Sequence, residues 1–152
     1  INLSKLVEEC VKEIEPLCEP KAISLIFNNS AESFEPVVDR QEMKRVIMNL
    51  LGNAVAYMER EGKIEVDLKS DGSEIIFSVK DNGVGIDEKD MMHLFERYSK
   101  GSKSLRKIGT GLGLYLSKHI VEAHSGKIWA QSTKGQGSVF SFIIPTEGTE
   151  KF

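Results

Sequence analysis

The sequence is poor in the residues and runs that mark specialised chains. Cysteine occurs twice in 152 residues, at Cys10 and Cys18. That spacing, inside a segment that reads as helix, suits neither a zinc knuckle nor a redox Cys-x-x-Cys pair, and two thiols do not build a disulfide framework. Both are expected to be buried or half-buried thiols of a reducing compartment. No apolar run approaches the ~20 residues needed to span a bilayer. The N-terminus shows no charged-then-apolar signal segment, so the chain is expected to be cytoplasmic in character even if a longer parent is anchored to a membrane upstream of Ile1. A basic excess is also missing: Lys and Arg total 20 against 23 Asp and Glu, for a net charge of -3. A broad phosphate-neutralising surface is thereby excluded, and with it a general nucleic-acid reader. There is no internal repeat and no low-complexity tract.

What is present is the composition of an ordinary globular domain, 40% hydrophobic and 28% charged, and long enough to close a core. One domain over 1–152 is expected, with residues 1–2 ending an upstream linker and 147–152 forming a loose tail. Leu6, Val7, Cys10, Ile14 and Leu17 fall at helical spacing in residues 3–17, and Pro20 closes that segment. Ala22 to Phe27 reads as a strand and Phe34 to Val38 as a second, short one. Asp39 looks like a helix N-cap, with Glu42 completing a capping box. The helix it opens has the clearest periodicity in the chain: Met43, Val46, Ile47, Leu50, Leu51, Ala54, Val55 and Met58 share one face. Gly62 is expected to end it. Lys63–Leu68 and Glu74–Val79 alternate as two strands joined at Asp71-Gly72. A short helix fits Glu88 to Phe95, another runs from Leu114 to Ala123 and stops at Gly126, and Lys127–Ser132 with Ser138–Ile144 form a last hairpin. This order implies an α+β fold, a two-layer α/β sandwich with helices on one face of a mixed, mostly antiparallel sheet.

Three motifs carry chemistry. Beside the apolar stripe of the long helix runs a second one, Arg45, Asn49, Asn53 and Tyr57, each four residues from the last and so on one helical face. Asparagine gains nothing from helix propensity, and carboxamide oxygens suit a hard cation such as Mg²⁺. The alternative is a solvated flank. Asp81-Asn82-Gly83-Val84-Gly85-Ile86 follows a strand; its glycines allow close backbone approach, and Asp81 can present a carboxylate to a donor, or merely cap an Asn-Gly turn. Gly109-Thr110-Gly111-Leu112-Gly113-Leu114 opens a helix, where free N–H groups and the dipole favour phosphate. The spacing is not that of a dinucleotide fingerprint, no strand precedes it, and no Walker-type loop exists in the chain. Lys100, Lys103, Arg106 and Lys107 stand just upstream, as a lid over a polyphosphate would require, although a plain surface loop has the same composition. His93, His119 and His124 adjoin no nucleophile signature and are expected in surface or packing roles.

In this order the motifs resemble the catalytic domain of sensor histidine kinases, in the superfamily shared with gyrase, Hsp90 and MutL. Asn49-Leu50-Leu51-Gly52-Asn53-Ala54 is similar to the N box, Asp81 to Gly85 to the first glycine box, and Leu94-Phe95-Glu96-Arg97-Tyr98 to the F box. Gly109 to Leu114 is similar to the second glycine box, and Gly135-Gln136-Gly137-Ser138 to a last one. The resemblance implies the Bergerat ATP-binding fold, with ATP and Mg²⁺ as ligands. Asn53 would coordinate Mg²⁺ with Asn49 assisting, Tyr57 would lie against adenine, and Asp81 would accept its amino group. Gly83, Gly85 and Ile86 would border base and sugar. Gly109, Thr110, Gly111, Leu112, Gly113 and Leu114 would hold phosphates under a lid spanning Ser99 to Ile108. Lys100 would reach a phosphate and act with Asn49 and Asn53 in transfer, while Phe95 would couple the lid to a helical partner domain. Many relatives carry a lysine before the tyrosine; here it is Ala56.

The implied activity is transfer of the γ-phosphate to a histidine on a separate dimerisation and phosphoacceptor domain, with a response regulator downstream. Neither His119 nor His124 lies in an acceptor motif. ATP-hydrolysing or serine-phosphorylating relatives place a glutamate at the Asn49 position; asparagine takes no proton near neutral pH. The alternatives are an anti-sigma-type serine kinase or ATPase of the same fold, and an inactive nucleotide-binding interaction module.

Overall fold

Asp39 fixes the start of the central helix. Its carboxylate accepts the amide N–H of Glu42 at 3.0 Å, which satisfies one of the orphan donors of a first turn. The other half of the expected capping box does not form: the amide of Asp39 donates to the ring of His124 instead. The structure, a computed structural model, describes residues 1–30, 36–59, 61–71, 73–96 and 113–146. Its helices are α1 (Leu3–Cys18), α2 (Arg40–Tyr57), α3 (Glu88–Met91) and α4 (Gly113–Ala123), and its strands β1 (Ser24–Asn29), β2 (Lys63–Ser70), β3 (Glu74–Asp81), β4 (Lys127–Thr133) and β5 (Gly137–Pro145).

The strands form one mixed sheet in the order β1-β2-β3-β5-β4. Only β1 and β2 are parallel, with Ser24 opposite Lys63; α2 makes the crossover that a parallel pair needs. Alternation sorts the faces. Ile64, Val66 and Leu68 of β2, Ile75, Phe77 and Val79 of β3, and Phe140, Phe142 and Ile144 of β5 are buried with the apolar faces of α1, α2 and α4 in a single core. Helices thus cover one face, as the sequence implies. At the α1–α2 seam Lys44 pairs with Glu9 (3.2 Å) and Glu13 (2.9 Å), and Arg40 also pairs with Glu9. Both cysteines are buried and free, and burial pushes the Cys10 thiol up to about 11, which keeps it an inert apolar filler.

Several boundaries depart from the sequence reading. Leu17 is exposed rather than on the buried stripe, which runs through Ile14 to Cys18 instead. Pro20 opens a 3₁₀ turn over Glu19–Lys21, and Ala22 takes a left-handed φ of 54°, so β1 starts later, at Ser24. Of the expected strand Phe34–Val38, residues 36–38 are irregular, consistent with Pro36 having no N–H to pair; Phe34 and Glu35 lie outside the described residues. The central helix ends at Tyr57, where Met58 turns extended (φ -83°, ψ 142°), not at Gly62. α3 stops at Met91 and continues as turns.

Candidate nucleotide site

The polar stripe of α2 sinks into the protein from its first turn to its last. Arg45 is exposed and Asn49 half-buried, but Asn53 is 5% and Tyr57 2% accessible. Helical periodicity gives the direction of a side chain, not its depth. The loop after β3 closes on the end of α2, where the amide of Val84 donates to the Tyr57 carbonyl (3.2 Å). A Cβ on Gly83 would stand 2.5 Å from that same oxygen, so glycine alone permits the approach.

The two carboxylate oxygens of Asp81 differ in their surroundings. Oδ1 accepts the Gly83 amide N–H at 2.9 Å and shapes the turn, while Oδ2 is buried without a hydrogen-bond partner among the described residues. Burial pushes this carboxyl above the ordinary range, against the opposing pull of the Gly83 and Ser138 amides. The hydroxyl of Tyr57 is likewise buried and unpartnered among the described residues. Its ionisation is pushed well above the usual tyrosine value by burial first, then by the negative charges of Asp90 and Asp81. Buried polar atoms without partners are costly, and two of them meeting in one region mark a place for a ligand's polar groups.

The last hairpin buttresses that loop. The amide of Ile86 donates to Ser132 Oγ (2.7 Å) and the amide of Gly135 to the Val84 carbonyl (2.7 Å). Gly85 has φ +73°, and a Cβ there would meet the Thr133 carbonyl at 2.2 Å. The room left by these two glycines is therefore filled by protein backbone. Ser132 Oγ donates its one proton to the Gly137 carbonyl at 3.0 Å, so Ser138 Oγ is the donor in the 2.8 Å contact between the two hydroxyls.

At the other end of α2's stripe the start of α4 arrives. A Cβ on Gly113 would lie 2.4 Å from Asn49 Oδ1, and Asn49 Nδ2 donates to Ser117 Oγ at 3.1 Å. The structure thus brings Asn49 together with Gly113, and Tyr57 together with Asp81 and Gly83, while Ile86 is tied to Ser132. Leu114 is buried in the core, and Phe95 packs half-buried against it. Lys100, Gly109, Thr110, Gly111 and Leu112 lie outside the described residues, as does the whole stretch Ser99 to Ile108 read as a lid.

Sequence reasoning missed four contributors. Ser117 is a fully buried polar residue on the apolar side of α4, and that misplacement is its one sequence signal. Ser132 and Asp90 have none. Lys21 donates through Nζ to the Val55 and Met58 carbonyls, both at 3.0 Å, so it sets a positive charge at the negative end of α2 on either side of Tyr57 and adds a second donor to the Val55 carbonyl, which also takes the Met58 amide. Lys21→Met is expected to cost about 1–2 kcal/mol and to lower Tm by about 2–8 °C. Calorimetry checks it, and an unchanged Tm refutes the capping role.

Five mixed strands under helices, with a glycine-bearing loop and a buried carboxylate whose Oδ2 lacks a partner among the described residues beside an asparagine-bearing helix, define an α/β sandwich of the ATP-binding type. The chain belongs to the family of histidine kinase-, DNA gyrase B- and HSP90-like ATPases, whose model matches residues 38–148. It is 34% identical over 152 residues to the circadian input-output histidine kinase CikA of Synechococcus elongatus, covering 96% of this chain and 20% of that protein. Its fold superposes with a TM-score of 0.84 on the nucleotide-free catalytic domain of the histidine kinase ThkA, at 30% identity, covering 97% of this chain and 94% of that one. ThkA in complex with the response regulator protein TrrA aligns with a TM-score of 0.79 at 28% identity, covering 96% of this chain and 41% of that one. The chain spans a fifth of the length of CikA. Among the described residues no helix is long and apolar enough to cross a membrane.

Proposed function

We propose that this chain binds Mg²⁺-ATP and presents its γ-phosphate to a histidine on a separate dimerisation and phosphoacceptor domain, with a response regulator receiving the phosphate afterwards. The observation that carries the reading is Asp81 Oδ2, unpartnered among the described residues, on a buried side chain in a chain of the ATPase family. Adenine offers its amino group to that oxygen, and Tyr57, Gly83 and Ile86 border the base.

The donor set also suits magnesium. Among the described residues no cluster of His, Cys, Asp and Glu could cage a metal. Mg²⁺ needs no such cage, since it keeps waters and takes most other ligands from substrate phosphates. Asn53 would hold it, with Asn49 assisting directly or through water. Bound there, the ion supplies neutralisation of charge developing on the γ-phosphate.

The chain's own residues do the rest by placement. Asn49, oriented by Ser117, cannot act as a base, which fits an imidazole nucleophile that is competent when neutral. Gly113 and Leu114 lead the helix start toward the phosphates, together with Gly109, Thr110, Gly111 and Leu112, and Lys100 adds charge. Positioning and electrostatics supply the acceleration.

Incubation of the chain with γ-labelled ATP tests the division of labour. The chain is expected to bind Mg²⁺-ATP, to leave itself unlabelled, and to phosphorylate an added acceptor domain. Stoichiometric acid-labile label on His119 or His124 would sink the reading.

A further inference from the structure

We propose that His124 is a positioning residue for the phosphate and metal side of the site, acting as a clasp between α4 and α2. Just past the end of α4, its Nδ1 lies 2.7 Å from the Ile120 carbonyl oxygen, and its Nε2 lies 3.0 Å from the amide nitrogen of Asp39. A carbonyl only accepts and an amide N–H only donates, so the two contacts leave one assignment: Nδ1 carries the proton and Nε2 is a bare acceptor. The ring therefore adds a second donor to the Ile120 carbonyl at the end of α4, which already takes the His124 amide, and satisfies the Asp39 amide at the start of α2.

This clasp is the second of two between the same helices. The first is the Asn49–Ser117 hydrogen bond, with Gly113 pressed on Asn49. Together they fix α4 along α2 at both ends, and the start of α4 is the part that faces phosphate in the reading above, on which this inference rests. The adenine side, built from Tyr57, Asp81 and the loop after β3, makes no use of the clasp. Loosening it is expected to let α4 shift and so to weaken contacts to the β- and γ-phosphates while sparing the base.

Two substitutions separate this from plain stability. Gln places an oxygen near the Nε2 position and can still accept from Asp39, whereas Asn keeps a donor near the Nδ1 position for Ile120 and cannot reach Asp39. His124→Asn is expected to weaken Mg²⁺-ATP binding about three- to tenfold, the worth of one hydrogen bond. AMP affinity is expected to hold within about twofold, and His124→Gln to bind Mg²⁺-ATP nearly as the parent does.

Nitrogen NMR of the unmodified chain reads the tautomer directly, with Nδ1 protonated and Nε2 bare as the expected pattern, and needs no variant to fold. A ring protonated at Nε2 overturns the proposal. So does equal loss of Mg²⁺-ATP binding in the Asn and Gln variants, and so does a parallel loss of AMP binding. An unmodified chain that binds no nucleotide overturns the functional reading itself, and the tautomer pattern still decides whether the clasp exists.

Discussion

Asn53→Ala is expected to slow phosphoryl transfer to an added acceptor domain by on the order of a hundredfold or more, because it removes the one protein ligand assigned to the metal. Nucleotide affinity is expected to fall far less, since the base and the phosphate-binding amides are untouched. Asn53 lies at 5% accessibility in the last turns of α2, deeper than a flank position, so truncation also removes packing. A loss of about 1–2 kcal/mol is the scale for a buried polar side chain, which the fold withstands. Single-turnover transfer, nucleotide titration and a melting curve on one preparation separate these effects. A variant that transfers phosphate at the parental rate shows that Asn53 holds no metal.

Asp81→Asn is expected to weaken ATP binding roughly ten- to a hundredfold and to close the gap to GTP, which in the parent is on the order of a hundredfold or more. The geometry makes Asn more informative than Ala. Its oxygen can keep the Gly83 amide that Oδ1 now holds, and that bond forces the NH₂ group to the place of the unpartnered Oδ2. An acceptor for adenine's amino group becomes a donor suited to guanine's carbonyl oxygen. Asp81→Ala loses the turn contact as well, so it is expected to narrow the gap without favouring guanine.

The same substitution has an opposite effect on the empty protein. The Asp81 carboxyl titrates above its ordinary value when folded, chiefly through burial. The folded chain therefore holds the proton to higher pH than the unfolded chain does. The stability Asp81 contributes is complete below the ordinary carboxylate value, is lost as pH rises through the raised folded value, and stays lost above it. At neutral pH Asp81→Asn is expected to melt no lower than the parent, and higher if the orphan oxygen is costly. Competition binding of ATP and GTP beside melting temperatures decides: an Asn variant with undiminished preference for ATP would falsify the adenine-acceptor role.

The local rules were legible in the sequence, and the long-range ones were not. Asp39 caps α2 because a cap is set within four residues, and the two antiparallel hairpins stand where alternation and turn residues put them. The glycine loop after β3 and the polar stripe of α2 were likewise readable as patterns. Parallel pairing of β1 with β2 depends on a partner about forty residues away and has no local signature. Closure of the helix end at Tyr57 depends on Gly83 and Val84, which reach it from the loop after β3. Lys21 and His124 escaped for a related reason: each reaches the backbone of a remote element, and a lone Lys or His carries no pattern. Asp81 shows the limit most clearly, since turn cap and ligand acceptor were rival readings of one residue, and the structure shows the turn contact on Oδ1 while leaving Oδ2 without a partner among the described residues.

Asp81 ends β3, and its pairing partner Ser138 is the second residue of β5. The β2–β3 and β4–β5 hairpins each close within a short stretch of chain, but the β3–β5 seam joins segments some sixty residues apart. Contacts of such separation carry the largest loop-closure cost and are the ones that slow folding. The carboxylate proposed to accept adenine sits on that seam, so no hairpin alone presents it. A nucleotide held there selects the fully joined sheet, and saturating ligand at a hundred times its Kd adds about 2.7 kcal/mol to the free energy of opening the seam. Amides of β3 and β5, strands that hold no phosphate, are thus where bound nucleotide slows hydrogen exchange across the sheet.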